Sequence, residues 1–249
     1  MFKHGCGITA EEFGAELCDF VWPMGICQPS HQVVVVPSPY QHVLPAAGYL
    51  ARAFQEHLNI RLSDAGQSVS EDARIYRNTT YREDYSSMTR EDRLKLISGD
   101  KFYIDGSFVE GKHCLFIDDI RVTGSHEWVI SEMCRNLRLD IRATFIYYAE
   151  IADVGIPASI EADLNRATIT GVCDLADLMN SPRFVFNTRV IKMVLAADSH
   201  DLDQFTTLLS RSILSKLYRL AVGNDYHRIS GYTRNFDRIR SLVTSPKQG

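Results

Sequence analysis

The stretch Gly111-Lys112-His113-Cys114-Leu115-Phe116-Ile117-Asp118-Asp119-Ile120-Arg121-Val122-Thr123-Gly124-Ser125-His126-Glu127 decides the reading of this chain. Cys114 to Ile117 is short and apolar enough for one buried strand, and Asp118 and Asp119 stand where that strand should end. A loop, Ile120 to Ser125, carries Thr123 and Gly124. From Glu127 to Leu137 the apolar residues Val129, Ile130, Met133 and Leu137 have the spacing of one helix face. The unit reads strand, acidic edge, small-residue turn, helix.

That order has a chemical meaning. A helix N-terminus offers unpaired backbone N–H groups and the positive end of the dipole, which is a place for a phosphate. Gly124 lets the backbone approach it, and the hydroxyls of Thr123 and Ser125 donate further hydrogen bonds. Two adjacent carboxylates would repel that anion unless something lies between. A sugar with two neighbouring hydroxyls donating to Asp118 and Asp119, and a divalent cation neutralising the remaining charge, removes the conflict. A phosphorylated ribose fits. The plain alternative is an acidic strand end capping an ordinary helix.

The segment resembles the phosphoribosyl-diphosphate signature of type I phosphoribosyltransferases, in which an apolar strand, two acidic residues, a Thr-Gly loop and a helix follow one another, often after Gly-Lys as at Gly111 and Lys112. The order of strands and helices around it agrees from roughly residue 30 to 150. The resemblance implies an α/β fold with a mostly parallel sheet. It implies ribose binding and catalysis at Asp118 and Asp119, Mg2+ at the same pair directly or through water, and a 5-phosphate site at Arg121, Val122, Thr123, Gly124, Ser125 and His126. Two positions depart from the pattern. His126 stands where the family usually has Thr, and Val122 stands where several purine-specific members have Asp and cannot act as a general base.

The other expectations follow the chain. Thr9 with Glu12 forms a capping-box pattern, and Phe13, Leu17, Phe20 and Val21 mark one face of the helix that follows. Val33 to Val36 reads as a central strand buried on both faces. After Pro37-Ser38-Pro39 a helix begins near Leu44 or Pro45 and runs to about Leu58. The family's pyrophosphate loop maps onto Ser38, Tyr40, Gln41 and His42, with a rigid strand-helix turn as the alternative. Asn59 to Leu62 and Ala73 to Thr79 are candidate strands flanking a turn-rich Ser63 to Asp72. The charge-dense stretch from Thr80 to Arg93 holds the place of the family's mobile hood, with Tyr81, Arg82 and Tyr85 as its candidates for reaching diphosphate. Asp100 to Lys112 reads as a hairpin turning at Asp105-Gly106. Ala143 to Tyr148 is the next strand, and its carboxyl end offers Tyr147, Tyr148 and Glu150 to the acceptor. Adjacent tyrosines face opposite ways, so at most one of them can do so.

Beyond Ile156 the pattern is helical, with spans at Ile156 to Ala167, Asp174 to Met179, Pro182 to Ala196, Leu202 to Val222 and Arg234 to Leu242. The chain therefore divides, on this reading, into a phosphoribosyltransferase-like domain at 1–150 and a helical extension at 151–249. The extension bears a weaker resemblance to phosphoribosyltransferase-like proteins of bacterial tellurite-resistance and stress-response systems. Arg234, Arg238 and Arg240 suggest either RNA or a phosphorylated partner, or simply a solvated helix face.

Composition bounds the rest. The 249 residues, 45% hydrophobic and 23% charged, are those of an ordinary globular protein. With 27 basic against 31 acidic side chains, nothing in the overall charge suggests a nucleic-acid or membrane-surface binder. The six cysteines are scattered without a C-x-x-C pair, so neither zinc nor a disulfide framework is expected. No leader and no membrane span are recognisable, which makes the cytoplasm the expected compartment. The leading function is Mg2+-dependent transfer of a 5-phosphoribosyl group between phosphoribosyl diphosphate and an unidentified base or other acceptor. The alternative is a regulator of the same fold that binds phosphoribosyl diphosphate or a ribonucleoside 5′-phosphate without turnover. A homodimer is compatible with either.

Overall fold

The computed structural model describes residues 1–26, 31–77, 102–153, 155–157 and 160–245. Its centre is a parallel sheet of β1 (Val33–Pro37), β2 (Glu71–Asp72), β5 (His113–Arg121) and β6 (Arg142–Glu150), in the order β2-β1-β5-β6. A two-stranded antiparallel ribbon, β3 (Tyr76–Arg77) with β4 (Phe102–Tyr103), stands apart from it. Alternation along the strands decides what covers each face. Val33, Val35, Leu115 and Ile117 pack against α1 (Gly7–Val21) and α2 (Ala46–Asp64). Val34, Val36, Cys114 and Phe116 pack against Ile130 and Met133 of α4 (Ser125–Asn136) and against Val109 of the short α3 (Gly106–Val109). All four β1 valines are buried, as a two-faced central strand requires.

The C-terminal part is helical: α5 (Ile160–Arg166), α6 (Asp174–Met179), α7 (Thr188–Ala196), α8 (Ser199–Thr207), α9 (Arg211–Gly223) and α10 (Thr233–Thr244). These helices close a third core that takes Val43 from the first half of the chain and otherwise starts at Ile169. The seam with the sheet is made by Asn224. It is buried, and its Oδ1 accepts from the backbone N–H groups of His42 (3.0 Å) and Val43 (2.8 Å). Asn224→Ala leaves both donors without this acceptor, the Val43 N–H in a buried place and the His42 N–H in a partly buried one. The expected loss of stability is about 2–4 kcal/mol, taking roughly 1–3 kcal/mol for each unsatisfied buried group. A denaturant melt measures it, and a loss within experimental scatter would mean that the seam is not held there.

Several expectations are corrected. Asn59 to Leu62 is not a strand but the end of α2, because Leu58 and Leu62 continue the buried i, i+4 stripe of Leu50 and Phe54. The edge strand β2 lies inside the stretch expected to be turns, and of Ala73 to Thr79 only Tyr76–Arg77 is a strand among the described residues. Asp105-Gly106 is a helix start and not a hairpin turn, since Asp105 Oδ1 accepts the Phe108 N–H. The Thr9 capping box does not form: α1 begins earlier, at Gly7, and the Thr9 hydroxyl turns to Cys6 Sγ. Phe20 is exposed and not on the packed face. In the helical part, α5 starts four residues later than Ile156. Pro182 to Phe186 runs into a bridge between Phe184 and Cys6 before Asn187 caps α7. The expected Leu202 to Val222 helix is two, because Ser210 caps α9 with its own hydroxyl.

Candidate functional site

β5 does not stop at the acidic pair. It pairs with β6 through Arg121 and Glu150, so Asp118 and Asp119 lie inside a strand and fall on opposite faces of the sheet. Asp118 shares its face with Phe116, with Phe145 and Tyr147 of β6, and with Val36 and Ser38 at the end of β1. Together with His126 and Glu127 of α4, these residues line a small cleft that opens to solvent. His126 Nδ1 meets Asp118 Oδ2 at 2.9 Å, and the Asp118 carboxylate also accepts the Asp119 N–H. Burial pushes the Asp118 carboxyl up, but the His126 contact, the charge of Lys3 and that N–H together hold it below its usual range. Tyr147 donates to Glu127 at 3.3 Å, and its phenol is raised by burial and by the Glu127 charge. Ser38 is buried at the mouth of β1, and its Oγ has no hydrogen-bond partner among the described residues. A buried hydroxyl without a partner on a cleft wall is open to a hydrogen bond from water or a polar ligand.

The turn after β5 leads into the N-terminus of α4. Gly124 is the N-cap of α4 with φ +69°, a left-handed conformation that a side chain adopts at a cost. Thr123 Oγ1 and Ser125 Oγ lie 2.7 Å apart, and Thr123 Oγ1 also accepts the Ser125 N–H at 3.4 Å. Arg121 lies alongside. A Cβ on Gly124 would stand 3.3 Å from its Nη2, and the guanidinium is held by Glu127 at 3.1 Å and by Glu150.

Asp119 has different company. Its Oδ2 is 2.5 Å from Lys3 Nζ, which is in turn 3.7 Å from Glu161 of α5. Burial raises the Asp119 carboxyl against the pull of Lys3. As oxygen donors, Asp118 and Asp119 suit a hard cation such as Mg2+. They do not converge with a third acidic, His or Cys ligand. Among the described residues such a grouping occurs only at Asp198, His200 and Asp201 in the C-terminal helices, where Asp198 caps α8. The residues therefore fit an ion carried largely by substrate oxygens and water, with one carboxylate touching it, and not a protein cage.

The other expected site residues are distributed unevenly. Of the expected pyrophosphate loop, Ser38 reaches the cleft. Tyr40 instead stacks on Arg74, whose guanidinium carbon lies 4.1 Å from its ring centre and 4.3 Å from that of Tyr76. Gln41 donates to Asp225, and the His42 ring covers Gly223, so both turn to the C-terminal helices. On the acceptor side, Tyr148 points away from the cleft. It stacks on Phe13 of α1 at 4.1 Å and donates to Glu16, and Tyr147 takes the cleft-facing place. Glu150 is engaged with Arg121. Of the expected phosphate-site residues only His126 lines the cleft; Arg121, Val122, Thr123, Gly124 and Ser125 are not among its lining residues. Tyr81, Arg82 and Tyr85 lie outside the described residues. Sequence reasoning missed Lys3, Glu127 and Arg74. Lys3 and Glu127 become visible only when chain segments far apart meet, whereas Tyr40, Arg74 and Tyr76 could have been suspected from their aromatic-basic character.

Two of the three basic residues of the last helix are paired, Arg238 with Asp203 and Arg240 with Asp237, as on an ordinary solvated face. Cys6, Cys18, Cys114, Cys134 and Cys173 are unpaired thiols. No described helix is long and apolar enough to cross a membrane.

No curated protein matches the chain. Among solved structures, it is similar to a hypoxanthine phosphoribosyltransferase from Staphylococcus aureus in two crystal forms. The tetragonal form matches at 13% identity and a TM-score of 0.34 over 57% of this chain and 75% of that one. The orthorhombic form matches at 15% and 0.32 over 57% and 76%. The family model described as PRTase ComF-like matches residues 1–239, sheet and helical part alike, and the chain belongs to that family.

Proposed function

We propose that this protein is a Mg2+-dependent phosphoribosyltransferase that moves a 5-phosphoribosyl group between phosphoribosyl diphosphate and a base or other acceptor. The observation that supports this reading is that the left-handed Gly124 turn leads directly into His126, which lines a cleft with Asp118 and with Ser38, whose Oγ has no hydrogen-bond partner among the described residues. The 5-phosphate takes the N–H groups of the turn and the hydroxyls of Thr123 and Ser125. Asp118 accepts a ribose hydroxyl and lends negative charge to the oxocarbenium-like sugar as its bond to diphosphate breaks. Ser38 donates to the departing diphosphate, and Arg74, fixed between two tyrosine rings, adds a positive charge near the same loop. Mg2+ would neutralise diphosphate charge, touching Asp118 directly or through water. Tyr147, held by Glu127, faces the acceptor.

A second reading, ligand binding without turnover, is favoured by one observation: Gln41 and His42 are committed to the seam with the helical part and not to a diphosphate. Pyrophosphate release separates the two. Incubated with phosphoribosyl diphosphate, Mg2+ and a panel of bases, the enzyme releases pyrophosphate with at least one acceptor, and Asp118→Asn does not. Binding without release across the panel would favour the regulator. We read the first 150 residues as the catalytic domain and the remainder as its helical extension, and we place the protein in the cytoplasm, where its free thiols persist.

A further inference from the structure

Beside the far end of β1 the chain gathers a second set of chemical groups. Tyr40 leaves the β1 loop and pairs with Tyr76 in an isolated parallel bridge. Its N–H donates to the Ile75 carbonyl at 3.3 Å, and its own carbonyl accepts the Arg77 N–H at 3.3 Å and Arg74 Nη2 at 3.2 Å. These bonds fix where the Arg74 guanidinium lies, with its carbon 4.1 Å from the Tyr40 ring centre and 4.3 Å from that of Tyr76. Across the ribbon, Tyr103 stands in register with Tyr76, on the same face, and the two ring centres are 6.2 Å apart. Tyr40, Arg74, Tyr76 and Tyr103 thus form a row of planar groups. None of the four lines the cleft.

The row is open to a further member. Tyr76 and Tyr103 are 44% and 53% exposed. The phenol hydroxyls of Tyr40, Tyr76 and Tyr103 make no hydrogen bond among the described residues, and Arg74 has no carboxylate partner there. Only its Nη2 is bonded, and its Nε is buried without a partner. A guanidinium stacked between rings keeps its charge and its edge for an anion, and phosphate is the anion whose oxygens match that edge. Exposed tyrosine faces beside it stack with a flat nucleobase. The steps of 4.3 Å from Arg74 to Tyr76 and 6.2 Å from Tyr76 to Tyr103 keep the phosphate and base positions within the length of one nucleotide.

Charge decides between a single nucleotide and a strand. A nucleic-acid strand needs a basic track that follows its backbone. This edge offers one uncompensated guanidinium. Arg77 falls with Phe102 on the other face of the ribbon, Lys112 is engaged by Glu71, and the exposed Asp72 adds a negative charge. We propose that the β3–β4 ribbon is a second ligand site that takes a purine mononucleotide, its base stacked on Tyr103 and Tyr76 and its phosphate on the edge of Arg74. The site is separate from the cleft at Asp118 and stands whether or not the cleft holds a ribose.

Calorimetry on the full-length protein with adenosine 5′-monophosphate tests it, with ribose 5-phosphate, which has no base to stack, as the control. The titrations are run in the wild type and in Asp118→Asn, where the cleft is impaired. In both, Tyr103→Ala weakens adenosine 5′-monophosphate roughly tenfold, the usual worth of one base stacked on an aromatic ring, and Tyr103→Phe restores it. Arg74→Gln weakens it by a similar factor and flattens its salt dependence. Ribose 5-phosphate binds Tyr103→Ala as it binds the parent, within about twofold. A melting curve checks each variant, and if Tyr103→Ala does not fold, Arg74→Gln and Tyr76→Phe against Tyr76→Ala decide. No binding of adenosine 5′-monophosphate by the wild type, or equal binding with and without the Tyr103 ring, overturns the proposal. Binding that vanishes in Asp118→Asn assigns the nucleotide to the cleft and overturns it as well. A short oligoadenylate that binds far more tightly than the mononucleotide, and through Tyr103, would make the occupant RNA and overturn the mononucleotide assignment.

Discussion

Gly124→Val is expected to lower the affinity for inorganic phosphate and ribose 5-phosphate by roughly a hundredfold, because one or two charge-assisted hydrogen bonds to the turn are lost, at about 1.5–3 kcal/mol each. The cause is conformational before it is steric. At φ +69° a β-branched residue is strained, and the turn relaxes by rotating its N–H groups away from the anion. The added side chain also meets Arg121, 3.3 Å from the first new carbon, and pushes against a guanidinium held by Glu127 and Glu150. The fold itself should survive with a penalty of about 1–3 kcal/mol, the usual cost of a non-glycine residue forced into such a conformation. Phosphate competition and a melting curve on the same sample separate the two effects. A variant that melts lower but binds phosphate as before would reduce the turn to an ordinary helix cap.

Asp118→Asn is the second large effect. The carboxylate is the cleft-facing member of the acidic pair, and its hydroxyl contact is worth about 1.5–3 kcal/mol, so ribose 5-phosphate should bind roughly 10- to 100-fold more weakly. Inorganic phosphate, which needs only the turn, should bind no worse, since a negative charge nearby has been removed. Asp119→Asn is expected to have a smaller effect on ribose 5-phosphate, because Lys3 already occupies that carboxylate. Equal losses from both substitutions would mean that the two carboxylates converge on the sugar despite their opposite faces.

The legible part of the fold was the part written in periodic burial. Val33 to Val36 and Cys114 to Ile117 are apolar runs between breakers, and they are the two central strands. The Thr123-Gly124-Ser125 turn was readable because only a few residue types make a left-handed helix entry. What failed has identifiable causes. β2 is two acidic residues at a sheet edge and carries no apolar signal. Adjacent charged residues read as a strand boundary, whereas β5 keeps its pairing with β6 past Asp119. Tyr147 and Tyr148 could be assigned to opposite faces from sequence, but which face held the cleft depended on where α1 and α4 packed. The contact between Lys3 and Asp119 joins the chain start to its centre, and no local pattern announces it.

The most direct test of the account is calorimetric titration of phosphoribosyl diphosphate with Mg2+ into the wild type, Asp118→Asn and Gly124→Val. The account predicts saturable binding to the wild type that inorganic phosphate competes away, a large loss in Asp118→Asn and a larger one in Gly124→Val. Wild-type binding that survives both substitutions unchanged, or no binding at all, would contradict it.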